Sequence, residues 1–207
     1  MSTSQSLEEA LQHSEIDLPA DHISQLRQYC QLLWTWNQQL NLTRHTDFDR
    51  FVQRDLLDCC QLAALLRDGE TVLDIGSGGG VPGIVLAITR PGIPITLSES
   101  VGKKAKVLQS LVRELKLPVS VYAGRAEVLL GETSFDTLVA RAVGPLWKML
   151  KWIQPHWSHA GRLLAVKGPS WPEERGEARH RGLLSDLELR RVAHYPMAGT
   201  DAESVIL

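Results

Sequence analysis

The chain has 207 residues, of which 43% are hydrophobic, and its formal net charge is −2 at pH 7. This length and apolar content suffice for one well-cored domain with an extension. No apolar run approaches the roughly 18 residues that a membrane span requires, and the polar, acidic N terminus is not typical of a signal peptide. Cys30, Cys59 and Cys60 form neither a Cys-x-x-Cys pair nor an even framework, which favours reduced thiols and a cytoplasmic location.

The charges are distributed unevenly along the chain. Residues 1–100 carry 6 basic and 13 acidic side chains, whereas residues 101–207 carry 16 basic and 11 acidic ones. A basic half can form a surface that faces phosphates. Since most surface charges only interact with water, this distribution permits a nucleic-acid partner but does not identify one.

The first 70 residues are predicted to form an N-terminal helical extension. Residues 1–20 are expected to be a frayed lead-in. A helix is expected from Asp21, a plausible N-cap, to about Leu40, because apolar residues recur there at steps of three and four. A second helix with one apolar stripe is expected from about Asp47 to Leu66.

From Thr71 onward, short apolar runs alternate with helical patterns, which indicates a mostly parallel sheet covered on both faces. Strands are expected at 72–75, 95–98, 119–123, 137–140, 162–166 and about 189–194, and helices at 82–89, 103–116, 146–156 and 173–184. The apolar run 204–207 is predicted to be a final edge strand. Residues 71–207 are therefore expected to form one α/β domain.

The run 72–83 is the most informative segment, because an apolar strand leads into a glycine-rich turn and a helix start. Gly78, Gly80 and Gly83 have the spacing of the dinucleotide fingerprint, which alone is a weak signal. Glycine in such a turn lets the backbone pass close beneath a bound ligand, because it has no Cβ and accepts positive φ.

Two residues of this run argue against a pyrophosphate ligand. Pro82 has no N–H to offer to an anion, and the Asp74 carboxylate at the mouth of the loop would repel one. A cationic ligand such as S-adenosylmethionine (SAM), which carries a sulfonium and no phosphate, suits the loop better. The alternatives are a dinucleotide site and an ordinary strand-to-helix turn.

Further candidates follow the second and third strands. Glu99 is placed to accept hydrogen bonds from both ribose hydroxyls of the ligand. The Ala126 N–H and the Glu127 carboxylate can read the acceptor and the donor on an adenine edge. The alternatives are a solvated carboxylate for Glu99 and a capped short helix for residues 124–127.

Basic residues are the candidates for contact with substrate. Arg141 ends the fourth strand, where an arginine can hold a phosphate or a base edge in a bidentate manner. The alternative for Arg141 is a structural pair with a carboxylate. Lys167, after the fifth strand, and Lys103, at a helix start, are weaker candidates, together with Arg125.

In their order and spacing these motifs resemble the RsmG/GidB family of ribosomal RNA small-subunit methyltransferases G. The resemblance covers nearly all of the chain and includes Trp36-Asn37 with Asn41-Leu42-Thr43, Leu73 through Gly83, Glu99-Ser100 with Lys103-Lys104, Gly124 through Glu127, Ala140-Arg141-Ala142, and Lys167-Gly168. There are two departures. Family members usually carry His-x-x-Asp where this chain has Asp55-Leu56-Leu57-Asp58, and the chain ends at Leu207 without the usual basic tail, which predicts a truncated C terminus.

The resemblance implies a class I SAM-dependent methyltransferase fold, Rossmann-like and seven-stranded, that methylates N7 of a guanine in 16S rRNA. It implies that Gly76, Val81, Ala126 and Glu127 line the cofactor site and that Arg141 lies between cofactor and RNA. Together with the residues argued above, the expected cofactor site comprises Asp74, Gly76, Ser77, Gly78, Gly80, Val81, Glu99, Ala126 and Glu127.

The expected chemistry needs few catalytic groups. Guanine N7 has an exposed lone pair and no proton, so direct in-line transfer from a sulfonium requires alignment and no general base. The chain lacks the Pro-Cys pair of enzymes that attack cytosine C5 and the Asp/Asn-Pro-Pro-aromatic segment of exocyclic amine methylation. The target guanine is expected in a loop or splayed out, where it can be reached.

The expected partner is 16S rRNA or the assembling small ribosomal subunit, with neither a membrane nor a metal ion, and the protein is expected to be a monomer. Three alternatives remain open. They are a SAM-dependent methyltransferase acting on a small molecule or another RNA, a SAM- or nucleotide-binding module without activity, and a dehydrogenase.

Overall fold

A computed structural model describes residues 4–197 and 200–207 of the chain. Within these residues the N-terminal extension forms four helices, with a π-helical segment, Phe51–Leu56, between the last two. The helices are α1 (Leu7–His13), α2 (Ala20–Asn37), α3 (Phe48–Arg50) and α4 (Leu57–Ala63). The two long helices expected from the apolar periodicity are present, the second as the continuous run from α3 to α4.

Helix α1 lies in the segment that was expected to be a frayed lead-in, and that prediction is wrong over residues 7–13. The Ser6 hydroxyl accepts a hydrogen bond from the Glu9 N–H, and the Glu9 carboxylate accepts one from the Gln5 N–H at 2.8 Å. The first bond satisfies an N–H group that a helix start leaves without a partner, and the second ties the residue before the N-cap to the first turn. Leu7 and Leu11 are buried, so tertiary packing holds this short helix in place.

Residues after 70 form a seven-stranded sheet whose strand order is β3-β2-β1-β4-β5-β7-β6. The strands are β1 (Val72–Ile75), β2 (Ile95–Ser98), β3 (Ser120–Tyr122), β4 (Phe135–Arg141), β5 (Ala160–Lys167), β6 (Ala193–Pro196) and β7 (Glu203–Ile206). The first five strands are parallel to one another, whereas β7 is antiparallel to both β5 and β6.

Five helices connect the strands, and they are α5 (Gly83–Thr89), α6 (Gly102–Glu114), α7 (Ala126–Leu130), α8 (Leu146–Ile153) and α9 (Trp171–His180) within the described residues. A 3₁₀ segment, Gln154–His159, continues from α8. The expected alternation of strands and helices is confirmed. The main differences are at helix ends, since α9 stops at His180 although its pattern was extended to residue 184.

Strand β7, formed by the C-terminal apolar run, does not lie where that run was expected. The run was predicted to lie at the sheet edge, but β7 lies between β5 and β6. Val205 and Ile206 are fully buried, and consecutive buried residues are typical of an interior strand covered on both faces. Strand β6, which begins later than expected, forms the edge instead.

Two apolar clusters cover the two faces of the sheet. One combines the N-terminal helices with α5 and α6, and its members include Leu26, Leu56, Leu86 and Leu108. The other combines α7, α8 and α9. The N-terminal extension therefore shares one core with the face of the sheet that α5 and α6 cover. Among the described residues, no helix is both long and apolar enough to cross a bilayer.

The strand order reverses direction between β1 and β4, which are neighbours although β2 and β3 separate them in the chain. Ligands of open parallel sheets bind at this switch point, beyond the carboxyl ends of the strands. The glycine-rich loop after β1 and the turn after β4 therefore meet where a ligand site is expected.

Gly83 begins α5 at a position where a side chain has no room. A Cβ there would collide with the Leu97 side chain and would lie 2.7 Å from an Asp74 carboxylate oxygen. We expect Gly83→Ala to lower the free energy of unfolding by about 1–3 kcal/mol, the usual cost of overpacking a core, as measured by urea denaturation.

Gly92 provides the matched control, because a Cβ there would meet open space. Gly92→Ala should change the free energy of unfolding by no more than about 0.5 kcal/mol. Equal stability of the two variants would contradict the close approach of α5 to β1 and β2.

Candidate active site

A cavity of about 640 Å³ opens at the switch point, a volume within the range of small-molecule and cofactor sites. The glycine loop forms one wall, and the segments after β2, β3 and β4 form the others. The lining residues include Gly76, Ser77, Gly78, Val81, Glu99, Arg125, Ala126, Glu127 and Arg141. The structure thus brings together nine of the residues that the sequence singled out.

The glycine loop turns sharply because three of its residues, Gly76, Gly78 and Gly80, have positive φ. Gly76 has φ +66° and Gly78 has φ +56°, a region that glycine enters without steric cost. A Cβ on Gly76 would lie 3.2 Å from the Val143 side chain in the turn after β4. The loop and that turn therefore approach each other closely at the floor of the cavity.

Asp74 does not lie at the mouth of the loop, so that expectation is wrong. Its side chain is fully buried, it is absent from the cavity lining, and its Oδ2 accepts a hydrogen bond from the Gly83 N–H at 3.0 Å. The residue therefore joins β1 to the start of α5. Burial raises the pKa of Asp74 to about 7, against the hydrogen bonds from Ser77 and Gly83 that lower it.

Gly80 also lies behind the loop and not in the cavity lining. Its φ is +104°, and a Cβ there would lie 2.6 Å from the Ile84 side chain. Gly79 takes the place at the cavity wall, and its carbonyl accepts a hydrogen bond from the Tyr29 hydroxyl at 3.0 Å. Helix α2 therefore supports the glycine loop from outside, a contact that the sequence did not indicate.

Glu99 is buried at the end of β2, so it is not a solvated carboxylate. One carboxylate oxygen accepts a hydrogen bond from the Gly78 N–H at 3.0 Å, and the other accepts one from the Val101 N–H at 2.7 Å. Each oxygen has a further lone pair. Glu99 therefore holds the glycine loop and can still accept hydrogen bonds from a ligand in the cavity.

The segment 124–127 begins the short helix α7 and lines the same cavity. Ala126 is buried, while the exposed Arg125 lies 3.7 Å from the Glu127 carboxylate. Lys103 is exposed and does not line either large cavity of the described residues, whereas its neighbour Lys104 lines the first. Successive residues of an α-helix are rotated by about 100° around its axis, so Lys103 and Lys104 of α6 point in different directions.

A second cavity of about 800 Å³ adjoins the first. The loop and helix residues 41–58 form one side of it, and the sheet edge around Tyr195 forms another. Five residues line both cavities, namely Leu42, Thr43, Asp55, Arg141 and Ala142. Among these five residues only Arg141 was a candidate site residue in the sequence, although the other four lie in the motifs quoted above.

Arg141 is held between two carboxylates in the shared wall. Its Nη2 lies 2.7 Å from Asp55 Oδ1, and its Nε donates to Asp58 Oδ2 at 2.6 Å. Although burial opposes the charged form, Asp55 and Asp58 raise the pKa of Arg141 above its ordinary value. The pairing with carboxylates that the sequence left open is therefore present, and the residue also borders both cavities.

Each carboxylate has a further partner from another part of the fold. His45 Nδ1 lies 2.8 Å from Asp55 Oδ1, and the Tyr195 hydroxyl donates to Asp58 Oδ1 at 2.7 Å. Burial and the neighbouring Asp58 raise the pKa of Tyr195. Two carboxylates on an otherwise apolar helical stripe were the available sequence signal for this cluster.

Lys167 is buried, with its ammonium 2.7 Å from a Glu174 carboxylate oxygen. The same ammonium donates a hydrogen bond to the Gly144 carbonyl. Lys167 lines the second cavity, and its paired ammonium stabilises the turn after β4, while contact of Lys167 with RNA stays a prediction. Within residues 4–197 and 200–207, no group of three or more His, Cys, Asp or Glu side chains could hold a metal ion.

The fold and the loop geometry define a class I SAM-dependent methyltransferase. Solved structures of this fold align with the chain, among them a variant of MtNAS in complex with S-adenosylmethionine, at a TM-score of 0.58 with 18% identity over 97% of this chain and 82% of that one. A methyltransferase from Pyrococcus furiosus aligns at a TM-score of 0.55 with 17% identity over 73% of this chain and 81% of that one.

The chain belongs to the rRNA small subunit methyltransferase G family, whose model matches residues 22–199. A ribosomal RNA small subunit methyltransferase G from Rhodopirellula baltica is 57% identical over 94% of this chain and 84% of its own length. A protein of the same name from Mycobacterium avium is 39% identical over 72% of this chain and 62% of its own length.

The buried Asp74 predicts a specific dependence of stability on pH. The pKa of Asp74 is about 7 in the folded protein, whereas the ordinary pKa of this carboxyl is 3.8. Between these two pH values the folded state therefore binds more protons than the unfolded state. The free energy of unfolding therefore falls as pH rises through this interval. Asp74→Asn should remove that fall, which is on the order of 2–4 kcal/mol.

The measurement is urea denaturation of both proteins from about pH 4 to about pH 8, because other carboxyls contribute equally to both and cancel in the difference. The stability of the wild type relative to Asp74→Asn should decline with rising pH. A difference that stays constant across this interval would contradict the burial of an ionisable carboxyl here.

Proposed function

We propose that this protein methylates N7 of a guanine in small-subunit rRNA by direct in-line transfer from SAM, without a general base. The observation that carries the proposal is the pair of adjoining cavities with Arg141 in the wall that they share. The first would hold the cofactor and the second the target nucleotide. The names of the curated relatives support rRNA as the substrate.

The residues of the first cavity fit SAM. Gly76 and Gly78 line this cavity without side chains, so a ligand can approach their backbone closely, and the buried Glu99 can accept from ribose hydroxyls. Ala126 and Glu127 would contact the adenine edge. When bound, SAM supplies an electrophilic methyl group on a positively charged sulfur.

A cysteine nucleophile is disfavoured by the environment of the nearest thiol. Cys59 is fully buried beneath the glycine loop, and burial raises its pKa well above the ordinary value, although Arg141 lowers it. The thiolate is the reactive form of cysteine, so this residue is unsuited to covalent attack on a pyrimidine. Guanine N7 needs neither a nucleophile nor a base, which agrees with such a site.

The protein's own contribution is alignment and hydrogen bonding. The Nε and Nη2 atoms of Arg141 are occupied by Asp58 and Asp55, whereas Nη1 has no partner among the described residues and is not buried. Nη1 would donate to guanine O6, which leaves the adjacent N7 lone pair free for the methyl group. A normal bidentate contact to O6 and N7 would block the reaction.

The test maps N7-methylated guanines in small-subunit rRNA from cells with and without this gene. We expect one N7-methylguanine to disappear with the gene and to return when purified protein and SAM are added to the unmethylated subunits. If the rRNA from cells without this gene lacked a methyl group on an atom other than guanine N7, the N7 assignment would be overturned. An unchanged rRNA would favour the alternative of a small-molecule substrate.

The position of Gly76 in the cavity wall leads to a separate prediction about the affinity for SAM. Gly76→Ala places a Cβ 3.2 Å from Val143 at the cavity floor, and we expect SAM affinity measured by calorimetry to fall by roughly tenfold or more, equivalent to about 1.4 kcal/mol. Unchanged affinity would remove Gly76 from the cofactor site.

Gly69→Ala is the matched control for this variant. Gly69 has a similar φ of +75°, but a Cβ there meets nothing within 4 Å, and the residue does not line the cavity. Both alanines are subject to the same left-handed strain, about 1–2 kcal/mol. Only Gly76→Ala should weaken the binding of SAM.

A further inference from the structure

Two carboxylates and one guanidinium meet at the wall between the two cavities. Asp55 and Arg141 line both cavities and Asp58 lines the second, and the Arg141 guanidinium contacts both carboxylates. These three side chains carry two negative charges and one positive charge, whereas the other cations of the second cavity, Arg44, Arg54 and Lys167, do not line the first. The pairing therefore neutralises the arginine and leaves a surplus on the carboxylates.

Fewer oxygens of the Asp55 carboxylate than of the Asp58 carboxylate have hydrogen-bond or ion-pair partners. Both oxygens of Asp58 accept hydrogen bonds, from Arg141 and from Tyr195. In Asp55 only Oδ1 is engaged, and Oδ2 is buried without a partner among the described residues. The Asp55 side chain is 2% exposed and borders both cavities. A buried carboxylate oxygen without a donor is costly unless a ligand or charge compensates it.

The reaction under "Proposed function" moves a positive charge from one cavity to the other. The N7 lone pair forms the new N–C bond, the S–C bond breaks, and its electron pair stays on sulfur. No proton is transferred, so the guanine ring becomes cationic and the sulfur becomes neutral. An unpaired arginine beside the nascent cation would oppose this step, and a surplus carboxylate would favour it.

We infer that Asp55 is the electrostatic counter-charge for the methylated guanine cation, an inference that rests on the proposed function. Arg141 supplies a hydrogen bond without a net positive charge, because Asp58 neutralises it. Asp55 then supplies the negative potential that the product side of the reaction requires. Preorganised charge of this kind acts on the transition state because the guanine is neutral before the transfer.

The test compares Asp55→Asn with the wild type on unmethylated small subunits. The substitution keeps the shape and removes the charge. We expect the single-turnover rate of methyl transfer to fall by about 10- to 100-fold, while the affinity for SAM and the KM for subunits change less than about threefold. A thermal melt establishes that the variant is folded.

Two control variants separate charge from position. Tyr195→Phe removes the hydroxyl that orients Asp58 but leaves every charge of the wall in place, and it should slow transfer far less than Asp55→Asn. Asp186→Asn removes one exposed negative charge remote from both large cavities, and it should leave the rate unchanged. Equal losses in Tyr195→Phe and Asp55→Asn would mean that Asp55 only positions Arg141, which overturns the inference.

A binding measurement without cofactor gives a readout that does not depend on activity. The ratio of affinities for methylated and unmethylated subunits should shift by about tenfold against the methylated form in Asp55→Asn, because only the methylated guanine is cationic. If the wild type methylates N7 but Asp55→Asn leaves this affinity ratio unchanged, the role of Asp55 is overturned. The same holds if Asp55→Asn transfers the methyl group as fast as the wild type. Absence of N7 methylation by the wild type would instead overturn the proposed function.

Discussion

The buried ion cluster around Arg141 is the interaction on which the geometry of the site depends. It joins three parts of the chain that are distant in sequence: the end of β4, the helical segment that carries Asp55 and Asp58, and Tyr195 on the edge strand β6. Removing one partner from such a buried cluster leaves an uncompensated charge, at a cost of about 3–5 kcal/mol. The wall between the cavities can therefore form only when the N-terminal extension is docked on the sheet.

The same extension also supports the cofactor loop. The Tyr29 hydroxyl bonds the Gly79 carbonyl, and Leu33 lies close behind that glycine, where a Cβ would approach it to 3.1 Å. From the opposite side, Glu99 accepts the Gly78 N–H. Because the loop is anchored from both sides, its left-handed residues are held in place before a ligand arrives, which reduces the ordering that binding would otherwise require.

The sequence was sufficient for features that follow from local pattern. The parallel strands, the loop after β1 and the acidic residue after β2 are confirmed in position, because burial of apolar runs and the glycine turn are local properties. Side-chain direction was not predictable in the same way. Asp74, Gly80 and Lys167 lie in the expected segments, but their contacts were not foreseen. The Asp74 carboxylate bonds the start of α5, Gly80 lies against Ile84, and the Lys167 ammonium is paired with Glu174. These neighbours pack against them only in the folded chain.

The surroundings of Asp55 are also informative. Asp55 stands where a histidine was expected, and a second carboxylate next to Arg141 would be unfavourable in an apolar stripe without compensation. His45 reaches Asp55 from the preceding loop, with its Nδ1 2.8 Å from Asp55 Oδ1. That loop also contributes Leu42 and Thr43 to both cavities, so the segment that contacts Asp55 also encloses the site. The electrostatics of the wall are therefore a property of the extension and the sheet together.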